Sequence, residues 1–429
     1  MARAQRSGRR AQAAHAAPTA PRTASTPAVP TREPDLHQKV IRVSELNASH
    51  LTQGMLWIVV FGPGHGEAIL IRLPDGRVGI VDGCKEPDAE CPLTTLLNGL
   101  APPKLLFACL THPHEDHYKG LARLINARSG LVENIWHVMA MTSNECPAML
   151  RYAKKLFKTT KRARLPDRGE WRRMDAVFRA IMEAEAGGTR RRDMRVEVPL
   201  FREQVGPADL EMLAWGPTEK DVGQALLQFV RRAKQARIAK DDLPNHVSAS
   251  LFIRWGASRA LLAGDLFRNA DAHRGWGPAR ALATAHSPVQ VVNVAHHASE
   301  NAHDDLLWQT MSPTLAIVTP FQNAAMNNKK QPCQPPTPAD IQRLVHSGAH
   351  VAITALPDWL GTALTPLPPR NLDVQRPPPP PPIKVRSSPL LHAVPTPGPS
   401  SAHNSVAVAL DHQGNIVQVV LSGDSDFYA

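Results

Sequence analysis

One stretch narrows the folds open to this chain more than any other: Thr111 to Gly120, THPHEDHYKG. Within it His112, His114, Asp116 and His117 follow the pattern H-x-H-x-D-H. Four metal-capable side chains in six residues are hard to explain by packing. Imidazole and carboxylate are the ligands that suit zinc, manganese or iron. The run before the motif, Lys104 to Leu110 (KLLFACL), is short, apolar and free of Gly and Pro, so it reads as a buried strand. The motif therefore sits where a central strand gives way to a loop, a usual place for chemistry in an α/β fold.

The neighbouring sequence repeats that arrangement. Leu56–Phe61, Ala68–Leu73 and Val78–Val81 read as strands joined by Gly-rich corners, GPGHG at 62–66 and Pro74-Asp75-Gly76, and the third ends in Asp82-Gly83. GPGHG is a weak phosphate-loop signal, because no suitable helix start follows; it reads as a loop passing close to a site, with His65 and Glu67 as loop residues. Helices are expected at Leu93–Leu100 and Tyr118–Asn126, and a strand at Ile135–Met139, where His137 reads as a core residue. Further strands are expected at Val196–Val198, Leu210–Trp215, Ser250–Trp255, Ala260–Ala263, Gln290–Val294, Leu315–Thr319 and His350–Thr354, and a helix at Pro338–Ser347. Strand ends thus deliver five polar clusters: Asp82, the 112–117 motif, His246, Asp265 and His296/His297.

Composition sets the outer limits. Residues 1–38 are rich in Ala, Pro, Arg, Ser and Thr, cannot bury a core, and read as a disordered basic tail rather than a transit peptide. Residues 371–402, with six consecutive prolines at 377–382, read as an extended linker, and 403–429 as a hairpin that adds an edge or a docking element. The body is then a domain over 39–370. Five cysteines with no C-x-x-C pair fit a reducing, cytoplasmic compartment, and no apolar run is long enough to span a bilayer. The net charge is +11, and basic residues crowd 151–195. Lys154, Lys155, Lys158, Arg162, Arg172 and Arg173 are candidate nucleic-acid contacts, since phosphate neutralisation supplies most non-specific affinity; a solvated basic insert accounts for the same pattern. A second basic helix is expected at about 223–240.

Taken together, the motif and the later clusters resemble the metallo-β-lactamase superfamily of hydrolases. Gly264-Asp265 after an apolar strand and a histidine at the end of the next strand fall in the family's order, and Asn245-His246 lies 19 residues before Asp265. The subgroup resembled is the soluble hydrolase domain of bacterial DNA-uptake channel proteins. It shares the run from Gly62 to Asp82, the strand Leu261–Asp265 and the turn His296-His297-Ala298-Ser299. Ala298 stands where that subgroup usually has glycine, and His246 matches only the wider superfamily. The resemblance covers about residues 54–320 and implies an α/β (α+β) four-layer αββα sandwich.

The resemblance also implies a site. His112, His114 and His246 would hold one divalent metal; Asp116, His117 and His296 a second; Asp265 would bridge them; and Asp82 would orient a ligand from behind. The metals would be zinc, or manganese, and would share a water made hydroxide near neutral pH. His297 is then a proton donor to the leaving group or a residue behind a ligand. The implied activity is a metal-dependent phosphodiesterase or nuclease acting on nucleic acid or a nucleotide. The alternatives are a carbonyl-centre hydrolase of a lactone, thioester or β-lactam, and a scaffold with a structural metal.

Overall fold

A computed structural model describes residues 36–62, 66–84, 93–138, 168–234, 244–321, 335–356, 360 and 404–428. The expected linker, most of the N-terminal tail, His65 and the basic residues Lys154, Lys155, Lys158 and Arg162 lie outside the described residues.

Strands β1 (Val40–Val43), β2 (Leu56–Phe61), β3 (Ala68–Arg72), β4 (Val78–Val81), β5 (Leu105–Leu110), β6 (Asn134–His137) and β7 (Arg190–Asp193) belong to a first sheet. Strands β8 (Pro199–Val205), β9 (Ala208–Gly216), β10 (Ser250–Trp255), β11 (Ser258–Leu262), β12 (Val291–Asn293), β13 (Leu315–Val318) and β14 (His350–Ile353) belong to a second. The chain then returns. β15 (Ser405–Leu410) and β16 (Ile416–Ser422) enter the first sheet and β17 (Asp426–Tyr428) closes the second. The spatial orders are β1-β16-β15-β2-β3-β4-β5-β6-β7 and β17-β14-β13-β12-β11-β10-β9-β8.

All six residues of β2 are buried, so both of its faces are covered. Trp57, Val59 and Phe61 pack with helices α1 (Leu93–Leu100), α3 (Leu121–Ala127) and α4 (Arg168–Ala186), while α2 (Glu115–Tyr118) is a single turn carrying part of the motif. Ile58 and Val60 alternate to the other face and are equally buried. In the second sheet Phe252, Leu261, Val292 and Val318 face helices α6 (Trp276–His286), α7 (Asp305–Met311) and α8 (Pro338–His346), which follow α5 (Glu219–Lys234). Leu251, Ile253, Leu262 and Ile317 turn to the other face, with no exposure above 1%. Hydrogen bonds join the sheets, from Asn293 to Glu67 and from Ala249 to Thr111. The architecture is the four-layer αββα sandwich, with each apolar side chain of its inner faces contributing about 1.5–3 kcal/mol by burial.

Several local expectations are corrected. The C-terminal hairpin is not an added edge: β15 lies between β2 and β16 and is buried throughout, with Val406 to Leu410 apolar on both faces, and of these last strands only β17 takes an edge, in the second sheet. The helix expected from Tyr118 forms as two pieces, with the first turn at Glu115. Residues 196–198 form a turn, with Glu197 at φ 63, and the strand follows at Pro199.

The parallel runs decide where chemistry can occur. β4, β5, β6 and β7 are parallel, as are β11, β12, β13 and β14. Within each run the carboxyl ends share one edge, and beyond them lie Asp82 and the motif in one sheet, and Asp265, His296, His297 and Thr319 in the other.

Candidate metal centre

Asp82 organises the first half of the site. It follows β4 with φ 57 and is completely buried. Its Oδ1 accepts from the Thr111 amide at 2.8 Å, and its Oδ2 accepts from Thr111 Oγ1 and His117 Nδ1, each at 2.6 Å. With Nδ1 engaged, His117 presents Nε2 inward, 3.3 Å from Asp265 Oδ1 and 3.9 Å from Asp116 Oδ2. His112 is held the same way. Its Nδ1 lies 3.0 Å from Thr111 Oγ1 and 3.2 Å from Ser248 Oγ, which leaves Nε2 facing Asp265 Oδ2 at 3.7 Å.

The second sheet supplies the rest. Gly264, at φ 55, turns the chain so that Asp265 enters the site; an added Cβ there would meet Ser248 Oγ at 2.6 Å. The Asp265 amide donates to that hydroxyl at 2.8 Å. After β12, His296, His297 and Ala298 take φ of 47, 58 and 66, a left-handed run that residues other than glycine adopt rarely. The run aims two imidazoles at once. His297 Nδ1 donates to the Thr319 carbonyl at 2.8 Å and sets Nε2 3.4 Å from Asp116 Oδ2. His296 Nδ1 meets Ser299 Oγ at 2.5 Å and sets Nε2 4.0 Å from Asp265 Oδ2.

Two overlapping sets of donors result. Asp116, His117, Asp265 and His297 offer ligand atoms within 4.8 Å of one another, as do His112, His114 and Asp265. Among the described residues His246 and His296 join neither set. Thus His297, not His296, stands with Asp116 and His117. His246 lies edge-on to Phe267 with ring centroids 5.4 Å apart, because the turn Pro244–Val247 sends its neighbour Asn245 inward instead. Asn245 is buried, and its Nδ2 lies 3.4 Å from Asp265 Oδ2. A third set, Glu67, Asp82 and His117, backs the site; there His117 Nδ1 is already committed to Asp82.

These residues fit divalent ions on two grounds. His112 Nε2 and His117 Nε2 are buried with no hydrogen-bond partner among the described residues, and Asp116 Oδ1 meets only His114 Nδ1, at 2.5 Å. Orphaned polar atoms at that depth are costly, and a shared cation would satisfy them. The second ground is charge. Burial would depress His117, but Asp265, Asp116 and Asp82 hold it well above the ordinary imidazole range. Burial likewise opposes His114, which Asp116 lifts to about 9. Burial would raise Asp116, yet His114 and His117 hold it well below the carboxylate range, and Asp265 is lowered in the same manner by His117 and His296. Protons on imidazoles thus balance buried carboxylates where cations would otherwise do so. His112, desolvated and beside His117, is pushed well down and stays a neutral donor.

Of the candidate nucleic-acid contacts, Arg173 is placed: its Nη2 pairs with Glu115 Oε1 at 2.5 Å, next to Asp116. Arg172 lies in α4 without a described side chain. His137 is buried in β6, away from both sets. The residues that sequence reasoning missed are Glu67, Asn245, Ser248 and Thr319. Only Glu67 carried a signal, an acidic residue directly before the apolar strand β3.

No family model and no curated protein matches the chain. Among solved structures it is similar to unliganded yeast PDE1, at 10% identity and TM-score 0.38, over 70% of this chain and 97% of that one. It is similar to the short form of human tRNase Z, at 12% identity and TM-score 0.32, over 63% and 94%. It is also similar to the metallo-beta-lactamase fold protein YhfI from Bacillus subtilis, at 12% identity and TM-score 0.32, over 62% and 86%.

Proposed function

We propose that the chain is a dinuclear metal-dependent hydrolase whose substrate is a phosphodiester of a nucleic acid or nucleotide. One observation carries this reading: three imidazoles, His112, His117 and His297, have Nδ1 tied to neighbours and Nε2 turned toward Asp116 and Asp265. Anchoring the outer nitrogen fixes the tautomer that leaves the inner one free to bind a metal. Asp116, His117 and His297 would hold one ion, His112 and His114 the other, and Asp265 would bridge them. Zinc suits this nitrogen and oxygen set, and manganese is the alternative. When bound, such ions supply hydroxide near neutral pH and charge for the developing oxyanion.

The chain's own residues do the remainder. Asp82 and the Thr319 carbonyl keep His117 and His297 oriented. His296 Nε2, 4.0 Å from Asp265 Oδ2 and partly open to solvent, would take the proton-transfer role that the sequence suggested for His297, which would serve as a ligand instead. Lys119 and Arg173 both sit on the Glu115 carboxylate, at 3.2 and 2.5 Å, and put positive charge beside Asp116. Together with the net charge of +11 they favour an anionic substrate.

The test is a panel of bis-p-nitrophenyl phosphate, single- and double-stranded DNA, RNA and a lactone, with zinc or manganese and with Asp116→Ala as control. Phosphodiester cleavage lost in the variant is the expected result. Cleavage of the lactone alone would move the assignment to carbonyl chemistry. A nucleic-acid substrate also requires binding that weakens steeply with salt.

A further inference from the structure

Glu67 directly precedes β3 of the first sheet, and its side chain reaches residues of the second. Its Oε2 accepts from Asn293 Nδ2 at the end of β12 and from Thr319 Oγ1 beyond β13, each at 3.0 Å. The Thr319 carbonyl in turn accepts from His297 Nδ1 at 2.8 Å. The backbone of Glu67 is engaged as well. Its amide donates to the Asp116 carbonyl at 3.2 Å, and its carbonyl accepts from the Cys84 amide at 3.1 Å. Gly66 makes this approach possible: at φ +99, an added Cβ would lie 1.6 Å from Asp116 O.

We propose that Glu67 is a positioning residue that sets His297 and Asp116, donors from opposite sheets, at their working separation. Through Thr319 it fixes the strand end whose carbonyl selects the His297 tautomer. Through its own amide it fixes the turn that carries Asp116. A carboxylate at 4% exposure, in line with Ala68, Ile69 and Leu70, is a poor choice for stability alone, since apolar side chains of similar volume hold such a place as well or better. Its partners explain its presence: the polar contacts of its side chain run to residues at or behind the site.

The proposal rests on the reading of Asp116 and His297 as metal ligands, so the experiment uses metal binding rather than turnover. Cobalt(II) is titrated into the full-length protein and into Glu67→Ala, Glu67→Gln and Thr319→Val, with visible spectra and the melting temperature of each metal-free protein. For the unmodified chain two equivalents are expected. Glu67→Ala should bind one of them about 10- to 100-fold more weakly, with a changed ligand-field band, the size seen when outer partners of metal-binding histidines are removed. Glu67→Gln keeps an acceptor oxygen and should recover most of the loss. Thr319→Val should weaken the same equivalent, and combining it with Glu67→Ala should add little. If Glu67→Ala fails to fold, Thr319→Val decides alone. Unchanged cobalt affinities and spectra, whatever the melting temperature, would reduce Glu67 to a staple between sheets and overturn the proposal. If the unmodified chain binds no cobalt, the metal reading itself fails, and Glu67 with it.

Discussion

The two donor sets are built to different standards of enclosure. Asp116, His117, Asp265 and His297 are all buried, and the outer nitrogens of both histidines end on fixed acceptors, Asp82 and the Thr319 carbonyl. His112, His114 and Asp265 form a smaller set, and the His114 side chain is 34% exposed. A closed set with four protein donors suits an ion that stays and supplies charge. A three-donor set with one solvent-facing member leaves a position for water or substrate. On the proposed reading, substrate would enter on the His114 side, near Glu115 and its Lys119 and Arg173 partners.

Asp265 is common to both sets, so its loss should be the most damaging change. Asp265→Ala should lower kcat/KM by about 10³-fold or more, since several kcal/mol of charge stabilisation depend on both ions. It should also reduce metal content at both positions. Elemental analysis showing one equivalent fully retained would break the idea of a shared bridge.

The contrast itself is tested by a matched pair. His297→Ala opens the closed set, and His114→Ala depletes the open one. The first should cost about 100-fold in affinity for the tighter ion, comparable to the loss of a well-anchored ligand or its partner. The second should leave the tighter ion in place and lower the affinity of the weaker one. Competitive chelator titrations separate the two. Equal losses in both variants would show that the sets do not differ in the way their burial indicates.

The motif was legible because its four residues lie on one strand end and one helical turn, where spacing in sequence is spacing in the fold. Asp82 and Asp265 were legible for a related reason: each closes an apolar strand. The division between His296 and His297 was not. It depends on three successive left-handed residues, and nothing in AHHAS fixes that backbone in advance. Nor was the inward turn of Asn245 legible, because a 3-10 turn sends adjacent side chains in different directions and either one could serve. The role of Glu67 depends on Asn293 and Thr319, more than 200 residues away, which no local pattern connects. The strand Arg190–Asp193 was not legible either, since RRRD has no apolar alternation and lies at the sheet edge.

Removing metal should expose the protons that both sets carry, through pH. In the metal-free protein His114 is raised to about 9, and His117 and His297 are raised as well. A raised histidine is protonated when folded and neutral when unfolded between its two values. The stability it contributes is therefore complete below about 6.5 and is lost as pH climbs through the folded value. The melting temperature of the metal-free protein should fall from pH 6.5 to 9. Metal loading runs the other way, because ligands must shed protons to bind. The gap in melting temperature between loaded and stripped protein should widen over that range. A gap that narrows would mean that His114, His117 and His297 do not carry those protons.

The smallest expected effect concerns the turn that aims His296 and His297. Ala298 holds φ 66, where a Cβ costs about 1–2 kcal/mol relative to glycine. Glycine would relieve that strain but would lose more chain entropy on folding, by roughly 0.5–1 kcal/mol. The two terms partly cancel, and Ala298→Gly should stabilise the protein by no more than about 1.5 kcal/mol, read from chemical denaturation. Its value lies in the sign. A gain places the strain at Ala298 itself, with both histidines set by their own anchors at Ser299 and Thr319. A loss would mean that the alanine methyl, buried against the helices of the second sheet, holds the turn in shape, and that the closed set depends on packing from outside as much as on hydrogen bonds within.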